Sequence, residues 1–401
     1  MPKVLLLYQY YRPDDVVSAL QFTGLGEGLS AKNWEVETWP CNRSCHHEEQ
    51  NHSLKSGKAD GVLIHRVWRP AFNQHRFIGR VLNAAWVEMA WLFRAFLTKS
   101  PNVVVIGTDP IFAVLLVPFL KLRWPRTKIA HWCFDLYPEY AVAEGLISEN
   151  SGVVRFLKKI LRWAYRKCDV VVDLGACMRK KLEEYPIRKN ATLTPWALEE
   201  PAAALPFDAT ERKNLFGDSS LGLLYSGNLS HPHEFEKTVA LARKMGNAAS
   251  FVFSARGKRV EVLKSFLTEK DTNIRFVPFA AVDKLMDRLS APDIHVVSLK
   301  SSYTGVAVPS KFFGALAVGR PILFEGDEVS AISGWIRQYG LGWVLTDKNT
   351  DEIAADMMAF SVDNRRKLEL FKHCHDTYQK YFSKKAVLDG WESELKKLLA
   401  P

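Results

Sequence analysis

Leu221-Gly-Leu-Leu-Tyr-Ser-Gly-Asn-Leu-Ser230 decides the fold of this chain. An apolar run ends in Ser226, Gly227 and Asn228, and a helical pattern follows from about His233. This is the repeating unit of a parallel sheet, whose strands are buried on both faces and feed crossover helices. The stretch before it, 199–208, contains Pro201, Pro206 and three alanines without any period. It reads as a linker, so the run at 221 opens a second sheet.

Working outward, the second half predicts strands at 221–225, 250–254, 274–277, 294–299, 321–324 and 342–345, each followed by a helical stretch. The first half predicts strands at 3–8, 35–39, 62–67, 103–106, 128–134 and 169–173, with a helix at 16–30 after the first. The expected architecture is α/β: two Rossmann-like, doubly wound domains facing a cleft. They span 1–200 and 201–380, and a terminal segment, 381–401, carries a last helical run at 384–399.

The 401 residues are 47% hydrophobic and 24% charged, which suits two globular domains and excludes a disordered chain. A formal charge of +10 favours anionic partners: a phosphorylated small molecule, an anionic membrane surface or nucleic acid. With no zinc-finger pattern and no aromatic RNA-binding signature, no nucleic-acid partner is expected. The N-terminus opens on a strand-like run rather than a secretion signal, so Cys41, Cys45, Cys133, Cys168, Cys177 and Cys374 are expected as free thiols in a reducing cytoplasm. Cys41, Cys45, His46 and His47 are only weakly zinc-like in spacing and lack a second ligand pair, so no metal is expected.

Two segments come closest to spanning a membrane. One, 78–97, is interrupted by Arg80, Glu88 and Arg94, and the other, 111–122, is too short. The stretch 75–99 has helical spacing, Trp86, Trp91, Phe93 and Phe96, and cations at both ends. Such a helix packs on the first sheet or lies peripherally on the cytoplasmic face of a membrane, its aromatics at the headgroups and its cations on anionic lipid.

Four segments carry chemistry. At the end of the 221–225 strand, Gly227 lets a phosphate approach backbone N–H groups, and Asn228 follows it. Ser254-Ala-Arg-Gly-Lys-Arg259 puts Arg256, Lys258 and Arg259 around Gly257, a charge pattern suited to a diphosphate. Tyr303-Thr-Gly-Val-Ala-Val-Pro-Ser-Lys311 leads into a helix closed by Gly319-Arg-Pro321. Here Gly305 permits close approach, Pro309 starts the helix, Ser310 is placed to bond the free N–H groups of the first turn, and Lys311 adds charge. Finally, Asp135 and Glu139 follow the 128–134 strand, where an acid can act as a base or bind acceptor hydroxyls, while His131 within that strand reads as a core residue. Each segment also has a plain reading: a strand–turn–helix glycine, a solvated basic turn, an ordinary helix start, a turn or cap carboxylate.

Together these segments resemble the retaining glycosyltransferases of family 4, in particular bacterial members that build lipopolysaccharide, capsule and exopolysaccharide. The resemblance covers most of the chain and rests chiefly on Phe134-Asp-Leu-Tyr-Pro-Glu139 and on Val308-Pro-Ser-Lys311 through Gly319-Arg-Pro321. It implies a GT-B fold, a nucleoside-diphosphate sugar donor, a saccharide or lipid-linked acceptor, no cofactor or essential metal, and a terminal helix packed back on the first domain. By resemblance, the donor contacts are Gly227, Asn228, Arg256, Lys258, Phe279, Thr304, Gly305, Val306, Ser310 and Lys311, and Asp135 and Glu139 are the catalytic candidates. The chain departs from the family where two glutamates usually stand eight positions apart: it has Val306 and Gly314. Asn228 replaces a usual arginine, and Phe134 a frequent histidine. A non-catalytic GT-B subunit partnering another transferase and a nucleotide-sugar epimerase are the alternatives the sequence leaves open.

Overall fold

The computed structural model describes residues 1–45, 54–73 and 77–400, so His46 and His47 of the cysteine–histidine group lie outside the described residues. The backbone divides into two compact units. One is Met1–Thr194 with Gly305–Ala307 and Val387–Pro401, and the other is Pro195–Thr304 with Val308–Ala386.

The first unit is built on an eight-stranded sheet: β1 (Lys3–Leu7), β2 (Glu35–Thr38), β3 (Gly57–Ala59), β4 (Val62–Ile64), β5 (Val103–Ile106), β6 (Lys128–Trp132), β7 (Val170–Asp173) and β8 (Asn190–Thr192). The spatial order is β3-β4-β2-β1-β5-β6-β7-β8. β3 and β4 pair antiparallel at one edge, and the remaining pairs are parallel. β5 (Val-Val-Val-Ile) and β7 (Val-Val-Val-Asp) are buried at every position, as a sheet covered on both faces requires.

The order in which strands are added reverses between β1 and β5, which are parallel, and this makes a switch point there. The helices Phe77–Leu97, Val117–Arg123 and Gly152–Tyr165 link β4 to β5, β5 to β6 and β6 to β7. All three connections step across the sheet in one direction, so right-handed crossovers put the helices on one face. On the other face lies Val17–Ala31. Its C-cap Lys32 pairs with Asp389 at 2.5 Å and Glu392 at 3.1 Å on the terminal helix Lys384–Leu399, whose Trp391 is buried edge-on to Trp132.

The second unit has six parallel strands: β9 (Gly222–Asn228), β10 (Ser250–Arg256), β11 (Ile274–Phe276), β12 (Ile294–Leu299), β13 (Ile322–Gly326) and β14 (Gly342–Leu345). Their order, β11-β10-β9-β12-β13-β14, is that of a dinucleotide-binding fold, with its switch point between β9 and β12. Buried Glu325 on β13 accepts hydrogen bonds from the N–H groups of Lys237 and Thr238, both at 2.9 Å, and from the Thr238 hydroxyl at 2.6 Å. It thereby caps the helix Glu236–Met245.

β9 and β10 run three and two residues past the strands read from sequence, to Asn228 and Arg256, because the ladder continues through Ser226↔Ser254, Gly227↔Ala255 and Asn228↔Arg256. All six cysteines are free thiols. No described helix is long and apolar enough to cross a membrane.

Candidate active site

In the second unit, the β9–β10 ladder sets the two glycine turns side by side. Gly227 (φ 131°) and Gly257 (φ 117°) occupy backbone conformations that favour glycine. A Cβ on Gly227 would lie 2.5 Å from Lys311 Cε, and one on Gly257 would strike the Asn228 side chain and the Leu229 carbonyl. The turns and the start of the helix Lys311–Ala317 are therefore packed together, and only backbone fits between them.

Lys311 is the centre of this arrangement. Its Nζ donates to the Asn228 carbonyl at 3.1 Å, stands 3.3 Å from His233 Nε2 and lies 5.1 Å from the Tyr225 ring centre. Among the described residues it forms no ion pair. Burial lowers its pKa to about 8, so the ammonium still prevails at neutral pH. His233, which sequence reasoning did not select, is held neutral: burial first, then the charge of Lys311, pushes its pKa down to about 3. Its Nδ1 accepts the Ser230 N–H at 3.2 Å, so a neutral ring carries its proton on Nε2, facing Lys311. Two donors thus converge with no acceptor between them, a geometry that suits an anion.

Arg256, the last residue of β10, is exposed, with its guanidinium 4.9 Å from the centre of the Phe279 ring. Lys258 is exposed as well, and among the described residues neither cation is ion-paired. Arg259 differs: it pairs with Glu236 at 3.0 Å and stacks on Phe235, so its charge is already compensated. A cavity of about 190 Å³ opens beside this cationic edge, lined there by Ser226, Gly227, Phe279, Ser310, Lys311 and Gly314. The rest of its lining is mostly apolar, with Trp196, Leu285, Leu289 and Val296 beside Glu199 and His295. An apolar slot with charge at one end fits a ligand that joins a flat ring to phosphates.

The remaining donor candidates are placed as follows. Among the described residues the buried Thr304 hydroxyl finds no hydrogen-bond partner. Gly305 and Val306 are grouped with the first unit, where Gly305 (φ 78°) approaches the Cys177 carbonyl and the Val306 carbonyl accepts the Leu136 N–H at 3.1 Å. Ser310 lines the cavity, but the capping bond read from sequence is corrected: its side chain caps nothing. The reason is its own backbone (φ −65°, ψ −20°), which is already helical, whereas a capping side chain needs an extended N-cap residue. The helix accordingly begins at Lys311, two residues after Pro309.

In the first unit, adjacent strands β5 and β6 bring two acids to their carboxyl ends. Asp135 is half-buried, and desolvation raises its pKa to about 6. Asp109, which the sequence reading passed over, is raised to about 7 by burial and then by the charge of Asp135. Among the described residues neither carboxylate accepts a hydrogen bond. Raised, open carboxyls in a partly apolar setting are groups poised for proton transfer near neutral pH. Glu139 is engaged instead: buried at the start of the short helix Glu139–Ala143, it accepts from the Tyr185 hydroxyl at 2.8 Å and pairs with Lys158 at 3.4 Å. His131 is a core residue, its Nδ1 3.0 Å from the Ile106 carbonyl and its pKa lowered to about 4 by burial.

No protein-family model matches the chain. It is 26% identical over 286 residues to a Pseudomonas aeruginosa protein named "Probable glycosyltransferase WbjE", covering 68% of this chain and 70% of that protein. Among solved structures it is similar to sucrose-phosphate synthase from Thermosynechococcus elongatus, with a TM-score of 0.72, 14% identity and 99% of both chains covered. It is also similar to Anabaena Alr3699/HepE in complex with UDP and glucose, with a TM-score of 0.66, 10% identity, and 99% of this chain and 100% of that one covered.

Proposed function

We propose that this chain, a glycosyltransferase of the GT-B fold, moves a sugar from a nucleoside-diphosphate donor to a saccharide or lipid-linked acceptor with retention of configuration, in the synthesis of a cell-surface polysaccharide. The observation that carries the reading is the uncompensated ammonium of Lys311, packed against the Gly227 turn and lining a largely apolar cavity. UDP and glucose in the Anabaena relative make uridine diphosphate sugars the first donors to try.

In this reading the bond from the anomeric carbon to the diphosphate breaks as the acceptor hydroxyl bonds to that carbon. Lys311, Arg256 and Lys258 offset the negative charge that grows on the leaving phosphate, and the His233 Nε2–H adds a neutral donor. The backbone around Gly227 and Asn228 approaches the phosphates, and Phe279 with the apolar wall takes the base. Thr304, Gly305 and Val306 face the sugar, and Ser310 the phosphates. Asp135, in its ionised form, handles the acceptor hydroxyl. No cofactor or metal enters this scheme, and the chain acts in the cytoplasm.

The test is turnover of the full chain with nucleotide sugars and a lipid-linked saccharide mixture. Acceptor-dependent release of nucleoside diphosphate, with a glycosylated product, is expected. Conversion of the sugar without acceptor would make the chain an epimerase. Neither binding nor turnover with any nucleotide sugar would leave a non-catalytic partner subunit.

A further inference from the structure

The helix Phe77–Leu97 carries two apolar stripes. Val87, Trp91 and Ala95, spaced by four, are buried, in line with polar Asn83, whose Nδ2 donates to the Phe72 carbonyl at 2.9 Å. Ile78, Leu82, Trp86, Met89, Phe93 and Phe96, spaced by three and four, stand exposed, Met89 at 70% and Phe93 at 68%. A helix on a sheet needs only the first stripe; of the second, Trp86 meets Trp68 edge-on at 5.0 Å, and its members all remain exposed.

Its neighbours extend the pattern. Leu122 on Val117–Arg123 is 82% exposed, and Phe119 on the same helix meets exposed Trp163 of Gly152–Tyr165 edge-on at 5.8 Å. Arg123 joins this layer to the end of the first helix, donating to the Phe96 and Thr98 carbonyls at 3.2 Å. Phe156 stands out from Gly152–Tyr165 at 61% exposure. The three helices cover one face of the sheet, so these side chains share one outer surface. Monomeric soluble proteins seldom expose a contiguous apolar patch beyond a few hundred Å².

Cations are set among the apolar groups. Arg155, Lys159 and Arg162 are exposed on Gly152–Tyr165, a helix without a single acid, and none of the three is ion-paired among the described residues. Arg80 and Lys99 stand exposed near the two ends of the long helix. The one carboxylate in the three helices, Glu88, has an inward Oε1, and burial pushes its pKa up to about 8. A two-fold copy of this chain placed here would set like charges against each other, because such an interface must be complementary to itself. A surface of negative headgroups over hydrocarbon complements both features.

We propose that the outer surface of these three helices docks on an anionic bilayer. Met89, Phe93, Phe96, Leu122, Phe156 and Trp163 enter the headgroup–acyl boundary, and the cations lie on the phosphates.

Flotation of the full chain with phosphatidylglycerol and phosphatidylcholine vesicles tests this, with UDP binding and circular dichroism as controls for the fold. Binding to phosphatidylglycerol is expected, weakened by salt because surface attraction decays over about 10 Å at 0.1 M. Arg155→Glu/Arg162→Glu should lower partitioning by about thirtyfold or more, given the contribution of each surface cation. Phe93→Ser/Phe156→Ser should lower it as well, while UDP binding is kept. Absence of flotation on phosphatidylglycerol at low salt, or flotation indifferent to both double variants, overturns the proposal. So does a concentration-dependent dimer that the same variants dissolve in the absence of lipid, which would assign the surface to a second copy.

Discussion

Lys311 Nζ and His233 Nε2 face each other across 3.3 Å, although the Ser230 N–H at Nδ1 fixes the imidazole proton on the side of the ammonium. An anion relieves the opposition of two donors, and this leads to the first prediction. Lys311→Ala should weaken UDP binding by about 1.5–3 kcal/mol, the range for hydrogen bonds to charged groups. His233→Ala should weaken it by less, because the ring is neutral. Burial lowers the Lys311 pKa to about 8 in the free protein, so affinity should fall as pH rises above that value. Calorimetry across pH 6.5–9.5 measures both effects, and an affinity untouched by either variant would remove the site.

Asp135 is the second subject. Asp135→Asn should depress turnover and leave the donor affinity unchanged. In the parent protein the acid limb of kcat/KM should fall near pH 6, where desolvation has moved this carboxyl in the free chain. Stability carries its own sign: a carboxyl whose folded pKa is raised loses folding free energy as pH climbs from its unfolded value, about 3.9, through the folded one. Asp135→Asn should therefore be at least as stable as the parent at pH 8 in urea titration. Lost donor binding with turnover intact would reverse the roles assigned to the two units.

Gly314 gives the third. It stands where the resembled family often has a glutamate, it lines the cavity, and a Cβ there would meet nothing within 4 Å. Gly314→Ala should raise stability by about 0.5–1 kcal/mol, the helix-interior difference between the two residues. Gly314→Glu should fold and change the affinity for UDP more than for inorganic diphosphate. A lower melting temperature for Gly314→Ala would show that the space is not open.

The sheets were legible because their inner strands are short, solid apolar runs such as Val103–Ile106, repeated in alternation with helical stretches. β3 (Gly-Lys-Ala) and β8 (Asn-Ala-Thr) were not, since edge strands that stay part-exposed need no apolar pattern. In the site, Lys311 was visible from its place at a helix start, whereas His233 gains its meaning only from a neighbour 78 positions away. Asp109 sits before Pro110, where an aspartate reads as a turn residue, and only its place beside Asp135 at the ends of paired strands marks it out. Ser310 shows the opposite failure: the right residue type for a cap, in a backbone conformation that cannot use it.

The register of β9 against β10 constrains how this chain can diverge. Gly227 is laddered to Ala255 and Asn228 to Arg256, so neither strand can gain or lose a residue within this ladder without turning its own side chains to the opposite face of the sheet. Trp196, Leu285 and Leu289, which line the cavity from outside the strands, are under no such coupling. Descendants of this sequence should therefore drift in the ring they select while the spacing of the two glycine turns stays frozen, and insertions should accumulate at the edge hairpin of β3 and β4 rather than at positions 226–229 or 254–257.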